Sequence, residues 1–245
     1  MNVAVILAGG TGTRIGGPVP KQFIKVQGKP IMAYTLEIFQ AHPNIDAIEI
    51  VCAPDMQGRV EKIVSGYGIT KVRWYAPSGP TFQDSTVSGL FHLKGILDPS
   101  DTVLLQFAVS PMVTPEIIDD ALRVCALHGN AIASEEMVLC TCIKDDEFSS
   151  TQSILRETLM GFSAPWAFRF GEVCAVYEEA IRRNILKDLE PHTTSVYFAL
   201  GKTIYFSKTT RSNIKITQRE DIDTFEGHLL LMQKRARETE EEKEA

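Results

Sequence analysis

An apolar run that breaks into glycines within the first ten residues constrains this chain more than any other stretch. Val3-Ala-Val-Ile-Leu-Ala8 is continuous, the pattern of a strand buried on both faces. It gives way to Gly9-Gly10, runs on through Thr11-Gly-Thr-Arg-Ile-Gly-Gly17, and ends in Pro18-Val-Pro-Lys-Gln22. Glycines let the backbone turn tightly and approach a ligand with no Cβ in the way. Such a turn presents backbone N–H groups to an anion, and Arg14 and Lys21 close behind add the charge that a phosphate chain needs. The reading is a nucleotide triphosphate cradle, with Leu7, Ala8, Gly9, Gly10, Gly12 and Thr13 as its nucleotide-binding residues. No Gly-Lys-Ser/Thr follows, so this is not a Walker A loop. As a dinucleotide fingerprint it is imperfect, because Ile15 stands where the third glycine belongs and Gly16 comes one place late. From the glycines alone, an ordinary strand-to-helix turn with surface cations is the alternative.

Composition narrows the class. At 245 residues, 44% hydrophobic and 23% charged, the chain is an ordinary globular one. A chain of this length buries roughly 70–75% of its unfolded surface, so neither metal nor disulfide is required to hold it together. The net charge of −6 argues against a general nucleic-acid binder. Five cysteines (Cys52, Cys125, Cys140, Cys142 and Cys174), mostly in apolar surroundings and with no Cys-x-x-Cys pair, read as reduced thiols of a cytosolic protein. There is no basic start followed by a signal-type apolar segment, and no run reaches the ~18 apolar residues of a membrane span. A soluble, cytoplasmic protein with no membrane or nucleic-acid partner is expected.

Helical and extended patterns alternate along the chain. Helices are predicted over 31–41, 56–67 and 85–97, the last opened by Asp84 or Ser85 as cap. Strands are predicted over 47–52, 72–76 and 101–107. Thr114-Pro115-Glu116 starts another helix with proline in its first turn. This alternation implies βαβ units and a mainly parallel sheet with helices on both faces, whose ligands bind beyond the carboxyl ends of the strands. From about residue 131 the pattern loosens. Strand-like 137–143, polar 144–151 and a returning 153–158 read as a projecting β-hairpin arm, placed at 136–158, with a solvated surface hairpin as the alternative. A helix over 171–183, late strands at 203–207 and 214–216, and a helix over 221–235 complete a single domain, 1–235. The charged stretch 236–245 reads as a frayed tail.

The opening string resembles the N-terminal signature of nucleotidyltransferases, and Pro20-Lys21-Gln22 resembles that of the cytidylyltransferases acting on sugar-alcohol phosphates such as methylerythritol and ribitol phosphates. The resemblance implies a Rossmann-like nucleotidyltransferase fold. It also implies transfer of CMP from CTP to a small polyol phosphate with release of pyrophosphate, for isoprenoid or cell-surface polymer precursors. By motif position Arg14 and Lys21 match the family's catalytic cations, and Lys215, in Ser212-Asn-Ile-Lys-Ile-Thr217, matches a late Asn-Ile-Lys lysine that faces the phosphates. Lys215 also interrupts an apolar strand pattern, where a charge needs a reason. Gly79 and Ser85 fall in the family segment that holds cytosine and ribose. Arg156, Cys142 and Thr194 fall at acceptor positions, His192 beside Thr193 and Thr194 being a further possible contact. In relatives the arm crosses to a second subunit, so a homodimer is implied.

Departures from the pattern are concentrated at the metal and acceptor positions. Relatives carry His-Asp-Ala-x-Arg-Pro, whose aspartate holds magnesium; this chain reads Gln106-Phe-Ala-Val-Ser-Pro111, so Phe107 replaces the carboxylate and Ser110 the arginine. Phe82 stands where the family has an arginine, Ser212 where many relatives have an acid, and Ala164-Pro165 replaces Thr-Pro. Two explanations follow. Either Mg2+ arrives held mainly by the nucleotide, with no protein ligand, or the chain is a catalytically impaired nucleotide-binding homologue. A nucleotidyltransferase with another base preference is the remaining alternative. The acceptor is expected to be another small polyol or glycerol-type phosphate, as used for bacterial surface polymers, rather than methylerythritol phosphate.

Overall fold

After its first residue every position of β1 (Asn2–Leu7) is buried, as the unbroken apolar run requires. Its side chains divide between two cores. Val3, Val5 and Leu7 pack on one face of the sheet; Ala4 and Ile6 pack on the other. The computed structural model describes residues 1–10 and 19–244. In chain order the elements after β1 are β2 (Lys25–Val26), β3 (Lys29–Pro30), α1 (Ile31–Ala41), β4 (Ala47–Cys52), α2 (Gln57–Gly66), β5 (Val72–Pro77), α3 (Phe82–His92), β6 (Thr102–Phe107) and α4 (Pro115–His128). There follow β7 (Asn130–Glu136), β8 (Thr141–Ile143), β9 (Gln152–Ile154), β10 (Met160–Arg169), α5 (Phe170–Arg182), α6 (Thr193–Ala199), β11 (Phe206–Lys208) and α7 (Arg219–Glu244).

The main sheet has the order β11-β7-β10-β6-β1-β4-β5. Its pairs are parallel except those of β10, which runs against β6 and β7. The expected α/β class, mainly parallel sheet and flanking helices are therefore observed, and β8 with β9 forms the antiparallel hairpin of the arm. Among the described residues no helix is long and apolar enough to cross a membrane.

Several expected boundaries are corrected by tertiary contacts. Helix α3 starts at Phe82 rather than 85, because Thr81 caps it: the Thr81 hydroxyl accepts from the Asp84 N–H (3.1 Å) and the Asp84 carboxylate accepts from the Thr81 N–H (3.1 Å). Of the strand expected at 137–143 only Thr141–Ile143 is extended, and its partner is Gln152–Ile154 rather than 153–158. Both β7 and β10 escape the sequence patterns. In β10, Pro165 falls in a shift of register between Phe162 and Trp166, so the alternation that marks a strand is broken. The segment 214–216 is not a strand; the Ile216 N–H bonds the Val109 carbonyl at 2.8 Å, a tether of loop to loop. Residues 193–199, to which the sequence pattern assigns no element, form the helix α6. The helix predicted over 221–235 continues through the charged stretch to Glu244, where Glu, Lys and Arg are good helix formers. Cys52, Cys125 and Cys174 are buried, whereas Cys140 and Cys142 are exposed on the arm.

Candidate active site

From β1 the chain crosses to β4 and β5 on one side, then returns to β6 on the other. The carboxyl ends of β1 and β6 therefore border the crevice where the connections diverge, the place at which such sheets bind ligands. A cavity of about 330 Å³ opens there. Leu7, Ala8, Gly9 and Gly10 line it after β1, and Phe107, Ala108 and Val109 line it after β6. The segment before and into α3 supplies Gly79, Pro80, Thr81, Phe82 and Ser85; Lys21, Gln22, Lys215 and Thr217 complete the lining.

Short polar tethers bring the two lysines to the crevice. The backbone after Pro20 turns through a single 3-10 turn, Lys21–Phe23, and buried Gln22 donates from Nε2 to the Ala8 carbonyl at 2.9 Å, tying that turn to the end of β1. Lys21 Nζ donates to the Ile216 carbonyl at 3.1 Å. The loop carrying Lys215 is pinned from both sides. Upstream, Asn213 Nδ2 donates to the Ala164 carbonyl at 2.6 Å; downstream, the Thr217 N–H, the Thr217 hydroxyl and the Gln218 N–H all donate to Asp221 Oδ2. Partial burial pushes the Asp221 carboxyl upward, but those N–H donors, the hydroxyl and the nearby Lys21 charge outweigh it and hold the group below its ordinary value. Ile216 is fully buried, so the Ile-Lys-Ile alternation seats apolar side chains inward and leaves Lys215 on the cavity side.

Two glycines of the wall are required by close approach. A Cβ on Gly9 would lie 2.3 Å from Ser78 Cβ, and one on Gly79 would lie 2.3 Å from Asp84 Cβ. Ser85 shapes this wall: its hydroxyl accepts from the Gly79 N–H at 3.0 Å and donates to the Thr81 carbonyl at 3.0 Å.

Phe107, the residue that stands where a carboxylate was expected, has the Lys215 ammonium 3.5 Å from its ring centroid. The ring is held in turn by Phe82 (5.6 Å between centroids) and by Trp166, edge-on at 5.8 Å. His192 packs on both Phe82 and Trp166, outside the cavity lining. Burial, reinforced by Lys215 and opposed by Glu190, lowers the His192 pKa below that of an ordinary histidine. No carboxylate is among the described residues that line the cavity, and no group of three His, Cys, Asp or Glu side chains suited to a metal occurs among the described residues.

Eight of the expected site residues thus meet in one hollow: Leu7, Ala8, Gly9, Gly10, Lys21, Gly79, Ser85 and Lys215. Gly12, Thr13 and Arg14 lie outside the described residues. The three expected acceptor residues do not line the cavity of this chain. Cys142 is exposed on β8, Arg156 is exposed within the arm with Nη1 3.3 Å from the Val138 carbonyl, and Thr194 is buried in α6. Gln22, Thr81 and Thr217 were not anticipated in the lining. Thr81 was within reach of sequence, since Thr81-Phe-Gln-Asp84 has the capping-box spacing. Chemically, two ammonium groups over a glycine turn at a sheet's switch point are arranged to hold a polyanion.

Known proteins resemble the chain over most of its length. The IspD family model, described as 2-C-methyl-D-erythritol 4-phosphate cytidylyltransferase, matches residues 2–230. A ribitol-5-phosphate cytidylyltransferase of Lacticaseibacillus paracasei is 33% identical over 229 residues, covering 94% of this chain and 98% of that protein. A 2-C-methyl-D-erythritol 4-phosphate cytidylyltransferase of Clostridium novyi is 32% identical over 230 residues, covering 93% and 96%. Among solved structures, a 4-diphosphocytidyl-2C-methyl-D-erythritol synthase from Anaerococcus prevotii superposes with a TM-score of 0.78 at 23% identity, covering 94% of this chain and 96% of its own.

Proposed function

The chain belongs to the 2-C-methyl-D-erythritol 4-phosphate cytidylyltransferase (IspD) family, and from that premise we propose that it transfers CMP from CTP to a small polyol phosphate and releases pyrophosphate. The observation that carries the reading is the convergence of Lys21 and Lys215 on one glycine-walled cavity at the switch point of the sheet. In the reaction a phosphate oxygen of the acceptor attacks the α-phosphorus of CTP. A new P–O bond forms, the bond to the bridging oxygen breaks, and its electron pair leaves with pyrophosphate. The work of the protein in such a displacement is positioning and charge neutralisation. Lys21 and Lys215 supply fixed positive charge, and the backbone around Gly9 and Gly10 approaches the phosphates. Arg14 is proposed as a third cation from its motif position. Gly79 and Ser85 form the wall against the nucleoside. Mg2+ is proposed to enter on the triphosphate, since the described lining offers it no carboxylate; no step is derived through it.

For the acceptor, a ribitol- or glycerol-type phosphate is favoured over methylerythritol phosphate, because Cys142 stands at a threonine position, Ala164-Pro165 replaces Thr-Pro, and Pro191-His-Thr-Thr-Ser195 lacks the aspartate usual in the methylerythritol enzymes. Incubation with CTP, Mg2+ and a panel of ribitol, glycerol and methylerythritol phosphates is expected to release pyrophosphate fastest with one of the first two. Absence of release with every acceptor, alongside normal CTP binding, would instead favour an impaired homologue. Stabilisation against heat by UTP, GTP or ATP in preference to CTP would redirect the base assignment.

A homodimer through the arm is part of the same proposal. The arm exposes Leu139 (70%), Phe148 (90%) and Leu155 (67%), more apolar surface than an isolated hairpin keeps in water. A second copy packed there would give Arg156 and Cys142 a route to a neighbouring cavity. Sedimentation is expected to report about twice the 27.2 kDa chain mass, and Phe148→Asp is expected to shift the mass toward that of one chain. A wild-type protein sedimenting as a single chain at micromolar concentration overturns the dimer. A cytoplasmic location is proposed on the family's behaviour.

A further inference from the structure

We infer that Phe107 is a positioning residue: its ring fixes the Lys215 ammonium as a standing positive charge of the phosphate cradle, so that this chain grips its nucleotide without lending a carboxylate to a metal ion. The inference rests on the cytidylyl-transfer reading and deepens it.

Lysine carries a flexible four-carbon stem, so an ammonium aimed at a ligand gains from anything that restricts it. Here the restriction comes in layers. The backbone at Lys215 is held by the Asn213 and Ile216 tethers. The ammonium sits 3.5 Å from the centroid of Phe107, over the electron-rich face of the ring. Trp166 meets the ring edge-on and Phe82 packs against it, which fixes the plane of that face. Lys21 reaches the same short segment through the Ile216 carbonyl, so both charges are anchored to one piece of backbone.

An aspartate at 107 would also attract Lys215 but would add a negative charge beside the incoming phosphates, favourable only with a divalent ion between them. A phenyl ring attracts the ammonium and repels nothing. Nor does the rest of the site supply the missing charge: the described lining has no carboxylate, and residues 11–18 contain no Asp or Glu. The donor set does not fit a protein-held metal.

Calorimetric titration of the full chain with CTP, in Mg2+ and in chelator, tests the idea without turnover. Wild type is expected to bind CTP in both buffers. Phe107→Leu is expected to weaken binding roughly 3- to 30-fold, the range of a cation–π contact, and Phe107→Tyr to restore it. Phe107→Asp is expected to bind poorly in chelator and to recover in Mg2+. Lys215→Met, which keeps the stem and removes the charge, is expected to lose affinity, and Phe107→Leu added to it is expected to cost nothing more. Should Phe107→Leu fail to fold, Phe107→Met, which fills a similar volume and likewise removes the ring, takes its place both alone and in the pair. CTP binding by wild type with Phe107→Leu unaffected, or binding only in Mg2+, overturns the inference alone. No CTP binding in either buffer overturns the functional reading with it.

Discussion

Lys21→Ala is expected to slow pyrophosphate release from CTP roughly 100- to 1,000-fold, the loss that follows removal of one preorganised charge-stabilising donor. The expectation comes from where the side chain is held. Pro20 and the turn Lys21–Phe23 carry the chain out of the glycine segment, Gln22 locks that turn to the Ala8 carbonyl, and Lys21 Nζ is fixed at 3.1 Å from the Ile216 carbonyl on the cavity wall. A charge held there costs little reorganisation when negative charge builds on the transferring phosphate. Lys21→Arg keeps the charge but replaces a compact ammonium with a broad planar fork, and should recover only part of the rate. Turnover numbers at saturating CTP and acceptor, beside melting curves of both variants, provide the check. Unchanged turnover in a folded Lys21→Ala protein would remove Lys21 from the mechanism.

The second large effect concerns stability. Glu49 lies on β4 with no solvent exposure, facing α3, where a Cβ on Gly89 would stand 3.1 Å from its Oε2. Burial pushes its carboxyl up from 4.5 to about 8. At neutral pH the group is mainly protonated and its hydroxyl can donate to His92 Nδ1, 2.6 Å away. Because the folded state keeps a proton that the unfolded chain releases, stability is greatest below pH 4.5 and falls as pH rises to about 8, levelling off above. The loss expected across that window is on the order of 3–4 kcal/mol, with the His92 contact offsetting part of the full linkage. Glu49→Gln mimics the protonated acid and cannot ionise, so its advantage over wild type should grow steadily between pH 5 and pH 8.5 in denaturant titrations. Parallel stability profiles for the two proteins would show that Glu49 does not titrate in this range.

How much of this was legible beforehand differs by element. The apolar run of β1, the amphipathic pattern of α1 and the run at β4 were read to within a residue, because burial on two faces or one leaves a direct imprint on residue order. Strand β10 was not, since Pro165 and the register shift beside it erase period-two alternation, and only pairing with β6 and β7 defines it. The cradle was readable because its parts are typed: glycines where backbones touch at Gly9 and Gly79, and cations behind them. Lys215 was singled out for interrupting a strand that does not exist, yet the alternation was sound, with Ile216 inward and the lysine toward the cavity. What Phe107 does was beyond sequence reading. A lost carboxylate is visible in the letters; an ammonium resting on the ring that replaced it is a matter of three-dimensional contact.

Lys21 and the carbonyl it grips are 195 residues apart in the chain. During translation the glycine turn emerges early, long before residue 216 has left the ribosome. Until that later segment threads back against Val109, bringing Lys215 with it and taking up Lys21, the cradle has neither of its two anchored charges. On the proposed function, nucleotide capture waits for that docking, and CTP binding would report whether the far portion of the polypeptide has come home.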